Sequence, residues 1–277
     1  MEKIDFETET EIEENQISFD FLKQNEDTQT LLKPENTEWI AKETLVVVIK
    51  SNGRISANFD LCGKKMIDWV LMATAGCQQK VIDEPEDLLS SIRSLAENFE
   101  FVAVLYSDTP LLSRKTFNDV MNYFSTQRLN VLTLARGYVF KTQYLQNAKM
   151  IMSSGITPFG KEDFDVVDSA EKVSHAFDVL NKRILDYHKQ NGVVLFGENT
   201  IFIDADVEIE EGSVIYPNNT IKGESYIGKN VILESGNYIL DTIVCDEAFV
   251  CQSYLEKSKI EKGKVVGPFE RLINQKY

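Results

Sequence analysis

A chain of 277 residues, 43% apolar and 26% charged, has room for one large domain or two of unequal size, each with a sizeable core. Its net charge of −15, with no Lys/Arg stripe interleaved with aromatics, excludes a nucleic-acid partner, because a polyphosphate would be repelled. The opening MEKIDFETET has neither a basic nor an apolar leader region, and no apolar run approaches the roughly 20 residues of a membrane span, so no signal peptide and no membrane association are expected, and a cytoplasmic location is expected.

In chain order, residues 1–43 read as an acidic, solvated arm; within 1–27, ten acids stand against Lys3 and Lys23. An α/β domain is expected over 44–167. LVVVI (45–49) has the fully apolar character of a buried parallel strand, KKMIDWVLMATAG (64–76) and EDLLSSIRSLAENF (86–99) read as helices, and FVAVLY (101–106) as a second buried strand. RKTFNDVMNYFSTQ (114–127) follows as a helix, then NVLTLA (130–135) and YVFKTQYL (138–145) as strands, with Gly76 to Asp87 serving as a short link. This order implies a sheet with crossovers. A linker helix is expected over 168–192, capped at its end by Asn191-Gly192.

Residues 193–277 carry a repeat. Ile203, Ile209, Ile215, Ile221, Ile227, Leu233 and Ile239 are spaced by six, a period that suits neither a helix nor an antiparallel strand and fits a parallel β-helix with one short strand per hexapeptide. After Ile239 the phase slips, resuming at Val244, Val250, Leu255, Ile260 and Val266. Gly212, Gly223, Gly228 and Gly236 fall in turns where positive φ is expected.

In open α/β sheets ligands bind beyond the carboxyl ends of the strands, which places chemistry at KSNGR (50–54) and SDTP (107–110). Asp108 there is either a helix-capping or turn aspartate or a metal or nucleotide ligand. Asp168 is either the cap of the linker helix, with Glu171 completing a capping box, or a second metal ligand. Gly53 and Arg54 are a plain loop or a phosphate contact. Lys64 and Lys65 read as a solvated first turn, and His188 as packing near the domain joint. Four cysteines without C-x-x-C spacing read as reduced thiols.

GKKMIDWVL (63–71), YSDTPLL (106–112), GYVFKTQYL (137–145), NKRILDYHKQNGV (181–193), FGENTIFIDADVEIEEGSVIYPNNTIKGESYIG (196–228) and VVGPFERL (265–272) together resemble the bacterial bifunctional N-acetylglucosamine-1-phosphate uridylyltransferase/glucosamine-1-phosphate acetyltransferase family. The resemblance implies a Rossmann-like nucleotidyltransferase domain, a connecting helix and a left-handed β-helix through which three chains associate. It also implies Mg²⁺ held by Asp108 and by Asp168, which stands where the family has asparagine, and catalysis by Arg54 and Asp108 with Gly53 and Arg54 at the nucleotide. A nucleotide or nucleotide sugar is the implied ligand.

The departures from the family pattern are large. The glycine-rich phosphate loop is reduced to VVVIKSNGRIS, the following proline-lysine is missing, and so are the segments that read uracil and hold the sugar. Each lost donor costs on the order of 10²-fold in rate. The expectation is therefore a shortened, divergent sugar-1-phosphate nucleotidyltransferase, weakened or inactive, or alternatively a non-catalytic nucleotide-sugar-binding or trimeric assembly protein. No acetyl transfer is expected, since His175 and His188 both precede the β-helix.

Overall fold

The computed structural model describes residues 42–53, 55–157 and 162–277. The acidic stretch over 1–41 and Arg54 lie outside the described residues.

Strand β1 (Thr44–Lys50) is followed by the short antiparallel pair β2 (Asp60–Leu61) and β3 (Lys64–Lys65), then helix α1 (Met66–Ala73) and strand β4 (Gln78–Asp83). Helix α2 (Leu88–Leu95), strand β5 (Phe101–Tyr106) and helix α3 (Arg114–Thr126) come next. They lead to β6 (Val131–Leu134), β7 (Gly137–Lys141), α4 (Thr142–Asn147) and β8 (Gly155–Ile156). The sheet order is β4-β1-β5-β7-β6-β8, parallel from β4 to β5 and antiparallel on both sides of β7.

The apolar run of β1 follows from its place in the middle. Val46 and Val48 pack on one face with Ile67, Val70, Phe117 and Phe124, while Leu45, Val47 and Ile49 pack on the other with Ile92 and Leu145. Helices thus cover both faces, as a parallel sheet requires. Two expectations are corrected here. Gly76 to Asp87 is not a simple link but contains β4, an edge strand whose mostly polar residues pair on one side only. YVFKTQYL is not one strand, since pairing ends at Lys141 and the chain turns helical at Thr142.

Helix α5 (Ala170–Gln190) leads into a left-handed parallel β-helix of three flat faces. Ile203, Ile221, Ile239, Leu255 and Leu272 stack in register on one face; Ile209, Ile227, Val244 and Ile260 on the second; Leu195, Ile215, Leu233, Val250 and Val266 on the third. The slip after Ile239 is therefore real, and Val244, Val250, Leu255, Ile260 and Val266 are all fully buried. Gly212, Gly223 and Gly236 take positive φ, whereas Gly228 does not. Gly228 serves close approach instead, since a Cβ there would lie 2.7 Å from the Asp246 amide nitrogen.

The two halves share one apolar cluster. Leu61, Met66, Trp69 and Leu111 meet Ala176, Leu180 and Ile184 of α5, which continue into the β-helix interior. Asn181 clamps the first coil, its Nδ2 donating to the Ile201 carbonyl at 3.0 Å and its Oδ1 accepting from the Ile203 amide at 3.3 Å. Lys64 is not a solvated lysine; its Nζ lies 2.6 Å from Asp206 of the β-helix. Among the described residues no helix is long and apolar enough to cross a membrane.

Candidate functional site

The carboxyl ends of β1 and β5 lie side by side. The Ser107 amide donates to the Ile49 carbonyl at 2.9 Å, and the Ser51 amide donates back to Ser107 Oγ at 3.0 Å. One residue further, the Asn52 amide donates to Glu84 Oε2, at the end of β4, at 3.3 Å. Gly53 takes no positive φ, and a Cβ there would meet only Ser51 Oγ at 3.5 Å, so this loop does not demand glycine as a phosphate-cradling loop would.

On the β5 side the chain turns tightly. Thr109 Oγ1 donates to the Tyr106 carbonyl at 2.9 Å, and Ser113, not Asp108, caps α3 by accepting the Thr116 amide at 3.1 Å. Asp108 is buried, and its carboxylate faces Arg136: Nη2 lies 2.9 Å from Oδ2 and Nε donates to Oδ1 at 3.3 Å. The guanidinium also lies over the Tyr106 ring, 3.9 Å from its centroid. Burial pushes the Tyr106 hydroxyl up from its ordinary pKa, with Arg136 opposing the rise.

The backbone of Asp108 reaches toward the linker, its carbonyl accepting from the Val167 amide at 2.8 Å. The next side chain, Asp168, turns to Lys172 at 3.2 Å in a pair about half exposed on both sides. Ser169, not Asp168, is the N-cap of α5, accepting the Lys172 amide. A second polar group ties α3 to α5: Asp163 accepts from Ser113 Oγ at 2.9 Å, from Thr116 Oγ1 and from Arg183 Nη2 at 3.3 Å, while Arg183 Nη1 donates to the Leu111 carbonyl at 2.7 Å.

No protein-family model matches the chain. It is 38% identical over 113 residues to the bifunctional protein GlmU of Streptococcus agalactiae, covering 40% of this chain and 25% of that protein. The similarity is to GlmU proteins. The GlmU of Clostridium botulinum (strain Eklund 17B) is 28% identical over 192 residues, 69% of this chain and 38% of that protein, and the GlmU of Clostridium kluyveri is 32% identical over 115 residues, 42% and 25%. The chain thus spans a quarter to two-fifths of the length of these GlmU relatives. A solved structure, Rv0371c from Mycobacterium tuberculosis H37Rv, covers 50% of this chain and 98% of its own at a TM-score of 0.37 and 8% identity, too slight a likeness to bear on fold or function.

The magnesium ion that the GlmU resemblance implies needs oxygen donors free to turn to it. Asp108 has both carboxylate oxygens on a guanidinium and Asp168 is turned to a lysine, so this donor set as it stands does not fit the ion. Among the described residues, no three His, Cys, Asp or Glu side chains gather into a metal-binding group. Arg136, Glu84, Asp163 and Arg183 do not stand out in the sequence as candidate site residues. Only Arg136 left a signal, as the single cation in the tight LARG turn between two apolar strands.

Proposed function

We propose that this chain is a non-catalytic relative of the sugar-1-phosphate nucleotidyltransferases, a protein that assembles as a homotrimer through its β-helix and has a nucleotide or nucleotide sugar as its ligand class. The ligand class rests on the similarity to GlmU proteins, and the observation that carries the non-catalytic reading is the use of the loop amides. Ser51 and Asn52 stand where backbone N–H groups would cradle a phosphate, yet they donate to Ser107 Oγ and to the Glu84 carboxylate. Phosphoryl-type transfer depends almost wholly on positioning and charge neutralisation, and an acid at the cradle opposes both.

Assembly is supported by the outer side of one β-helix face. Val194, Val214, Ile232, Phe249 and Val265 stand next to one another on paired strands and point outward, with Val194, Ile232 and Val265 38–63% exposed. Such an unbroken apolar stripe across five strands marks an association surface.

Three measurements test the reading. Pyrophosphate release from UTP and N-acetylglucosamine-1-phosphate with Mg²⁺ is expected to stay at background; release that disappears in Asp108→Ala would show an enzyme instead. Calorimetric titration with UDP-N-acetylglucosamine tests the ligand class. Light scattering is expected to give the mass of three chains, and a single-chain mass would refute the assembly.

A further inference from the structure

We infer that Arg136 is the resident cation at the carboxyl end of β5: it occupies the edge of Asp108 that a divalent ion would need and is what keeps such an ion out. This concerns the metal and not turnover, and so goes beyond the proposed function.

The Asp108 side chain is 7% exposed, and both of its oxygens meet a single guanidinium, through Nη2 at 2.9 Å and Nε at 3.3 Å. A guanidinium fork and a carboxylate match in the plane, so the fork takes the lone pairs that point to the open side. An Mg²⁺ ligand bond is about 2.0–2.1 Å long, so an ion on that edge would sit inside the space of the guanidinium and against its charge.

Arg136 is held there from several directions. Tyr106 closes one face of the guanidinium at 3.9 Å. The register pairs Val104 with Tyr138, so two residues onward from Val104 and two back from Tyr138 lie Tyr106 and Arg136. Gly137 fixes that approach: it has φ 123°, and its Cβ would lie 2.3 Å from the Val104 carbonyl oxygen. The second expected ligand does not compensate, because Asp168 faces Lys172 on the exposed side of the linker.

Mn²⁺ alone is the probe, read by its paramagnetic broadening of the Val167 methyl signals, since the Val167 amide bonds the Asp108 carbonyl. In the wild-type chain these signals are expected to stay sharp, and to stay equally sharp in Asp108→Asn. In Arg136→Met they broaden, with Mn²⁺ bound about tenfold or more tighter than in the double variant Arg136→Met/Asp108→Asn, where they sharpen again. Broadening in the wild type that Asp108→Asn abolishes overturns the inference, as does an Arg136→Met protein that folds and shows no Asp108-dependent broadening. If Arg136→Met fails to fold, Arg136→Gln takes its place with the same expected and overturning results. Pyrophosphate release enters nowhere in this test, so its outcome is independent of the activity reading.

Discussion

His188 lies in the last turn of α5, packed edge-on against Tyr187, and its Nδ1 has no hydrogen-bond partner among the described residues. Burial pushes its pKa down from 6.5 to about 4, so the folded protein holds the imidazole neutral. Above pH 6.5 neither the folded nor the unfolded chain protonates it, and its contribution to stability is whole. As pH falls from 6.5 toward 4 the unfolded chain takes up a proton that the folded one refuses, and stability is lost. The loss reaches on the order of 3 kcal/mol by the lower limit and about 2 kcal/mol by about pH 5. Urea unfolding of the wild type and of His188→Phe at about pH 7.5 and about pH 5 should show the wild type losing about 2 kcal/mol more than the variant between them. Equal losses would mean that His188 is protonated in the folded state or is reached by water.

At the level of elements, the β6–β7 hairpin is what brings Arg136 to Asp108, and Gly137 sits at its tightest backbone approach. An alanine there would need a left-handed φ and would press a methyl into the Val104 carbonyl at 2.3 Å. Gly137→Ala should cost about 2–4 kcal/mol, combining the φ penalty with overpacking against the backbone. A urea midpoint unchanged from wild type would show that the hairpin sits elsewhere. This hairpin also marks the limit of what the residues disclosed in advance. The strands YVF and VLTL were visible from their apolar character, but the register that sets Arg136 beside Asp108 is a long-range fact with no local pattern. The edge strand β4 was hidden for a different reason: pairing on one side left it mostly polar, so QQKVID looked like a loop. By contrast, although Gly228 lacks the positive φ expected of it, the inward aliphatics of the β-helix were readable even through its slip. Its coils measure eighteen residues from Ile203 to Ile221 and from Ile221 to Ile239, then sixteen from Ile239 to Leu255, and each inward aliphatic still lands on its face. Buried hydroxyls and amides in the corners absorb the change. Asn219 Oδ1 accepts from the Asn237 amide and Nδ2, Asn237 Oδ1 from the Ser253 amide, and Ser225 Oγ from the Thr242 amide.

Over the whole molecule, the junction between the halves matters more than either half alone. Ala205 donates its amide to the Cys62 carbonyl at 2.9 Å, Lys64 meets Asp206, and Arg183 holds Leu111, so the sheet domain is bonded to the first coil as well as packed on the linker. Neither the distance between these residues in sequence nor their types suggested that Lys64 and Cys62 belong to a joint. The consequence of that shared cluster is cooperativity. Melting the sheet domain would strip cover from Ala176, Leu180, Ile184 and the first β-helix rungs, exposing apolar surface worth about 25 cal/mol for every Å² uncovered. A scanning calorimeter should therefore record one unfolding transition for the chain, and two well-separated ones would mean that the cluster is split. A chain joined in this way holds the outer stripe of the β-helix and the carboxyl end of β5 near Asp108 in a single folded unit.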